Sequence, residues 1–373
     1  MKKALFNIVF VAITIFILIS SSINAYNPIC ESEKYQYYNY EQMTSLLHNL
    51  SADYPEIINV TSIGKTYQGR DIWMVKISDN PEENEDEKGV LLMSAHHGNE
   101  KPSYEVLIHY IKYLVENYEK NNTDDDGDCQ INEDIIDGID NDEDGLIDED
   151  PSEDRVRNII NNTQIFLIPM VNPDGVEANT RKNCAPNHGW YDKRKKTTSY
   201  GVDLNRNYGY DWDYYKIRPF LCRFFINVRD RSFTYRGPYP FSENETQAVK
   251  QVVENNNISI SLSYHTYGAV IFYPWFHTST PAPYYEKFIS IGENITKINK
   301  YRLYKSSNIP IIKNLGTPGT SENWLYGEHG ILSFTVELGN KTYAPSNPNI
   351  VTDMCIKHVG VNNYVCERTW LLD

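Results

Sequence analysis

Four polar side chains stand at the ends of apolar runs in this chain, and their types are those of metal chemistry. His97 and Glu100 follow "GVLLMSA" in "SAHHGNEKPS", His265 closes "ISISLSYH", and Glu337 closes "ILSFTVE". A catalytic zinc commonly takes two histidines and one carboxylate and keeps a further position open for water, and that set is on offer here. A histidine three residues before a glutamate is a commonplace spacing by itself, so His97 and Glu100 taken alone could equally be hydrogen-bonded residues of a turn. Further polar residues come downstream in a fixed order, beginning with Asn205 and Arg206 in "GVDLNRNYGYDW".

These residues can cooperate only if the runs that end in them lie side by side. "EQMTSLLHNLSADYP" and "YEVLIHYIKYLVENYEK" carry apolar residues at helical spacing, whereas "DIWMVKISD", "GVLLMSA", "TQIFLIPMVN", "ISISLSYH" and "GILSFTVELG" read as strands. Several of the strands are continuously apolar and helices lie between them. The chain is therefore predicted to be α/β, with a buried sheet covered by helices on both faces. In open sheets of this kind functional groups gather at the carboxyl ends of strands, which is where His97, Glu100, His265 and Glu337 fall.

Taken together, "HHGNE", "NRN", "SYHTYG" and "SFTVELG", in that order within residues 35–340, resemble the secreted zinc metallocarboxypeptidases of the carboxypeptidase A and T family. The resemblance implies one three-layer α/β/α domain with a mixed sheet of about eight strands, and hydrolysis of the C-terminal peptide bond of peptides or proteins. It implies one catalytic zinc on His97, Glu100 and His265, with His96 as a neighbour. Glu337 would be the general base, Arg194 in "DKRKKTTSY" would help stabilise the oxyanion, and Asn205 with Arg206 would hold the substrate's terminal carboxylate. Glu322, two positions before Trp324, falls at the base of the family's pocket for the terminal side chain, where an acidic residue goes with basic substrates. Two positions depart from the pattern. Asn99 stands where many relatives have arginine, and Leu315 aligns with the family's mobile tyrosine, so that Tyr304 or another of the 29 tyrosines would have to substitute. The chain is expected to act as a monomer, without a nucleic-acid partner and without membrane contact beyond its leader. Two rival readings use the same residues: a related zinc amidohydrolase (a cell-wall peptide peptidase or an N-acyl amino acid deacylase), and a noncatalytic calcium-dependent binding module. "NRN" with a separate Glu337 argues against the deacylases, and Glu337 against the module.

Composition limits the remaining possibilities. With 373 residues, 40% hydrophobic and 13% aromatic, the chain can bury a sizeable core and is not a disordered one. Residues 1–25 have the layout of a secretory signal peptide, two lysines, an apolar stretch and small residues ending at Ala25, with an uncleaved anchor as the alternative. Residues 26–373 would then form the catalytic domain, outside the cytoplasm. The six cysteines are even in number and show no CxxC, so disulfides are expected, with Cys355 and Cys366 as the pair closest in sequence. The formal charge of −15 is local: sixteen Asp and Glu and no Lys or Arg lie between Asp124 and Asp154. Within that insertion, spanning 121–154, Asp140, Asp142 and Asp144 alternate ahead of Gly145 and Asp148, a pattern suited to calcium. The match to an EF-hand is partial, with Pro151 at the twelfth position, and a solvated acidic loop is the alternative.

Overall fold

The structure, a computed structural model, describes residues 34–118, 153–184, 189–192, 197–213, 232–305, 317–339 and 341–372. The expected leader, residues 1–25, and Asp140, Asp142, Asp144 and Asp148 of the acidic block lie outside these residues.

Ten strands are described: β1 (Ile58–Lys65), β2 (Asp71–Ile77), β3 (Gly89–Ser94), β4 (Gln164–Ile168), β5 (Gly189–Asp192), β6 (Thr197–Tyr200), β7 (Ile258–Thr266), β8 (Val270–Tyr273), β9 (Arg302–Lys305) and β10 (Leu332–Leu338). Eight of them form one sheet in the order β1-β2-β4-β3-β7-β10-β8-β9, while β5 and β6 pair as a separate ribbon. The central run β4-β3-β7-β10 is parallel, and β1, β2 and β8 are antiparallel to their inner neighbours, so the sheet is mixed. The described helices are α1 (Tyr40–Asp53), α2 (Pro102–Asn117), α3 (Glu153–Asn162), α4 (Pro173–Glu177), α5 (Asn244–Asn255), α6 (Tyr285–Asn299), α7 (Ser321–His329) and α8 (Pro348–Thr369).

Strand β3 shows how the layers arise. All six of its residues are buried; Val90 and Leu92 join one apolar cluster, Leu91 and Met93 another. Successive side chains on a strand point to opposite faces, so the two clusters are the two sides of the sheet. The first cluster is completed by α1, α2, α6 and α8 through residues such as Leu47, Leu107, Phe288 and Val359, the second by α5 and α7 through Val249 and Trp324. Each fully buried Leu or Met contributes roughly 1.5–3 kcal/mol. This is the three-layer α/β/α arrangement with eight strands.

The expected disulfide between Cys355 and Cys366 does not form. Both lie in α8, eleven residues apart, which at the helical rise separates them by about 16 Å, more than twice the reach of a disulfide. Both thiols are free and buried. Among the described residues, no helix is long and apolar enough to cross a membrane.

Candidate metal centre and cleft

The chain leaves β3 at Ser94, turns through Ala95 at φ +50° and enters "HHGNE". This turn is seated on "NPDG": the side-chain amide of Asn172 donates to the carbonyl of His96 at 3.1 Å, and a Cβ on Gly98 would come within 1.9 Å of the Gly175 carbonyl carbon. Only glycine lets two backbones approach so closely. His265, the last residue but one of β7, lies directly opposite Glu337 on the parallel strand β10. The ends of three neighbouring parts of the sheet thus deliver the four residues to one place.

The convergence is tight. His97 Nδ1 lies 2.9 Å from Glu100 Oε1 and 3.2 Å from His265 Nδ1, and His265 Nδ1 lies 2.9 Å from Glu100 Oε2. All three side chains are buried. Two imidazole nitrogens and a carboxylate aimed at one point need a shared cation or proton between them, and as a donor set they fit zinc. Asp203 accepts the Nε2 hydrogen of His97 at 3.0 Å, which leaves Nδ1 to face the centre. Burial would raise the carboxyl of Glu100, but His97 and His265 outweigh it and hold the group well below the usual carboxylate range.

The centre forms one wall of a cleft of about 460 Å³ that Arg181, Asn205, Arg206 and Glu337 also line. Burial first, and then the like charge of Glu100, pushes the carboxyl of Glu337 well above its ordinary value. Arg181 donates through Nε to Asp203 at 2.8 Å and brings Nη1 to 3.7 Å from Glu100 Oε1. Burial opposes the ionisation of Asp203, yet Arg181 and His97 hold its carboxyl far below the usual range. Asp203 therefore braces one histidine of the converging cluster and a cleft arginine at once. Asn205 and Arg206 share the 3-10 turn Leu204–Arg206. The amide of Asn205 is fixed because its Oδ1 accepts from the Ser321 amide at 2.8 Å and from the Ser321 hydroxyl at 3.2 Å.

Glu322 lies just past the cleft-lining Thr320, in the first turn of α7, fully buried and with neither carboxylate oxygen hydrogen-bonded. Arg194 and Leu315 lie outside the described residues. Tyr304, on β9, packs against Phe272 with ring centroids 6.5 Å apart. Among the described residues, the tyrosines that themselves line the cleft are Tyr267 and Tyr343, edge to face at 5.0 Å. Arg181 and Asp203 were not singled out from the sequence. The available signal was position: "TRKN" begins five residues after the "NPDG" turn that seats "HHGNE", and Asp203 immediately precedes "LNR".

The zinc carboxypeptidase family model matches residues 43–354, so the chain belongs to that family. It is a metallohydrolase family built, in this chain, on the α/β/α frame described above. A zinc carboxypeptidase of Saccharothrix mutabilis subsp. capreolus is 29% identical over 324 residues, covering 83% of this chain and 63% of that relative, so the chain spans less than two thirds of it. Carboxypeptidase B of Astacus astacus is 25% identical over 317 residues, covering 81% and 86% of the two chains. Among solved structures, bovine thrombin-activatable fibrinolysis inhibitor in complex with tick carboxypeptidase inhibitor gives a TM-score of 0.66 at 19% identity, over 90% of this chain and 98% of that one. Carboxypeptidase A of Helicoverpa armigera gives 0.65 at 20% identity, over 90% and 73%. At such identities these two likenesses speak for the fold.

Proposed function

We propose that the protein is an exported zinc carboxypeptidase that removes single residues from peptide C-termini and prefers Lys and Arg. The observation that carries the reading is the convergence of His97, Glu100 and His265 in a cleft shared with Glu337, Arg181 and Arg206. His97, Glu100 and His265 would hold the ion. Zinc there would polarise the scissile carbonyl and make a water nucleophilic near neutral pH.

The chain's own residues do the rest. Glu337 takes a proton from the water as its oxygen bonds to the carbonyl carbon, and its raised affinity for protons keeps that proton available for the leaving nitrogen. The C–N bond breaks, the proton goes to the amine, and the products are a free amino acid and a peptide one residue shorter. Arg181, braced by Asp203, offers Nη donors to the oxygen that gains negative charge. This assigns to Arg181 the role that the resemblance suggested for Arg194. Arg206, with Asn205, pairs with the terminal carboxylate of the substrate.

Glu322 supports the basic preference. A buried carboxylate without a partner is costly, and a Lys or Arg side chain reaching towards it supplies the missing charge. Export rests on the leader layout of residues 1–25. Calcium in the acidic block rests on its carboxylate pattern, and a melting temperature that stays flat as calcium is added would leave a solvated loop instead. The experiment for the main reading is Glu337→Gln, which keeps the shape and removes the base. Turnover is expected to fall on the order of 10² to 10⁴-fold with one zinc per chain retained; loss of zinc together with activity would make Glu337 a ligand.

A further inference from the structure

His97 has Asp203 to hold its outer nitrogen. The outer nitrogen of His265 meets a buried chain of polar groups for which the mechanism above has no use. His265 Nε2 lies 3.2 Å from Ser263 Oγ and 3.3 Å from Asn205 Nδ2. Ser263 Oγ lies 3.4 Å from His96 Nδ1, and His96 Nε2 lies 2.8 Å from the Tyr208 hydroxyl. Ser263 and His265 are two apart on β7 and so share a face. The His96 ring stacks on that of His265, centroids 5.7 Å apart and planes 18° apart. Ser263, His96 and Tyr208 are at most 1% exposed, so no bulk water completes their hydrogen bonds.

The direction of each bond follows from the ligand's chemistry. If His265 gives the Nδ1 lone pair to a cation, its hydrogen must sit on Nε2 and needs an acceptor. Asn205 cannot be that acceptor: its Oδ1 is committed to Ser321, so the atom facing His265 is the amide nitrogen, a donor. The Ser263 hydroxyl can accept. It then donates its own hydrogen to His96 Nδ1, and His96 donates from Nε2 to Tyr208. Without a cation, His265 Nδ1 faces Glu100 Oε2 at 2.9 Å and carries the hydrogen itself. The same heavy atoms then serve in the opposite sense, from Tyr208 through His96 and Ser263 to His265.

We propose that Ser263, His96 and Tyr208 are positioning residues for the metal ligand His265, a reversible hydrogen-bond chain that holds its Nε2 hydrogen and so presents Nδ1 to the ion. The inference rests on the assignment of His97, Glu100 and His265 as the metal site. Three polar core residues that merely satisfy one another would show the same distances but no coupling to metal affinity.

Zinc affinity of the full-length protein, measured by competition with a chromophoric chelator, separates the two. S263A is expected to weaken zinc binding about 10- to 100-fold, and S263T, which keeps the hydroxyl, to restore it. H96F should weaken binding by itself yet add nothing in the S263A background, and Y208F, which removes one oxygen, should give a smaller loss of the same kind. The metal-free melting temperature, followed in parallel, should not track these losses. Wild-type affinity in S263A, or losses in S263A and H96F that simply multiply, would overturn the proposal. An unchanged affinity in H265A would instead show that the ligand assignment beneath it is wrong, and both would fall.

Discussion

At the scale of single residues, the two cleft arginines are held differently, and the proposed function gives them different work. Arg181 is braced by Asp203 and lies beside Glu100, at the centre, whereas Arg206 sits on the 3-10 turn with Asn205. Arg181→Ala is expected to lower kcat on the order of 10² to 10³-fold on every substrate, as the loss of a preorganised oxyanion donor does. Arg206→Ala should instead narrow the difference in kcat/KM between peptides with free and with amidated C-termini. Arg194→Ala should do neither. Steady-state kinetics on a matched peptide pair checks all three, and a large uniform loss from Arg194→Ala would return the oxyanion role to that residue. Arg181 was hard to find from sequence because a guanidinium earns its role by what braces it. Its brace, Asp203, is 22 residues away in the chain.

At the scale of elements, the segment before α1 works as a strap. The Tyr35 hydroxyl and the Tyr38 amide both donate to Glu105 of α2 at 2.8 Å, while the Tyr35 amide and the Tyr37 hydroxyl donate to the carbonyls of Ser346 and Pro345. The strap thus ties the helix that follows the "HHGNE" turn to the segment that carries Tyr343. Burial pushes the Glu105 carboxyl up to about 7, against hydrogen bonds that lower it. Between its ordinary value of 4.5 and about 7 the folded protein then binds more protons than the unfolded chain. Stability must fall as pH rises through that window, by up to roughly 3 kcal/mol from this group. Glu245, also raised to about 7 by burial, acts in the same sense. Urea melts at pH 5 and pH 8 should show a smaller loss for Glu105→Gln than for wild type, and equal losses would remove Glu105 from the explanation. The elements differ in how clearly the sequence announced them. Strands β2, β3, β4, β7 and β10 and helices α1 and α2 stand out through unbroken or periodic apolar runs. β8 and β9 are four residues long, too short for a period to show. Helix α8 buries His358, Asn362 and Asn363, which blurs its apolar stripe.

At the scale of the molecule, the sheet gathers the His97, Glu100 and His265 cluster, Glu337 and two arginines into one cleft, and α7 sets a buried acid close by. The fold class and the convergence of His97, Glu100, His265 and Glu337 were legible because their segments end apolar runs and a parallel sheet brings such ends together. The proposed preference for a basic terminal side chain rests on Glu322 alone, and sequence does not say where its carboxylate points. Comparing kcat/KM on peptides ending in Arg, Lys, Leu and Phe tests Glu322. Arg and Lys are expected to lead by about tenfold or more, and Glu322→Ile to reverse the order; a wild-type enzyme that favours Leu or Phe would make Glu322 an internal acid without a part in selection. The broadest claim, that this cleft reads a free C-terminus, is tested most directly by mass spectrometry of one peptide ending in Lys, incubated with the zinc-loaded protein beside its amidated twin. Successive loss of single C-terminal residues from the free peptide, beginning with Lys, is expected, with the amidated peptide left intact. Internal fragments, or equal cleavage of the two, would contradict it.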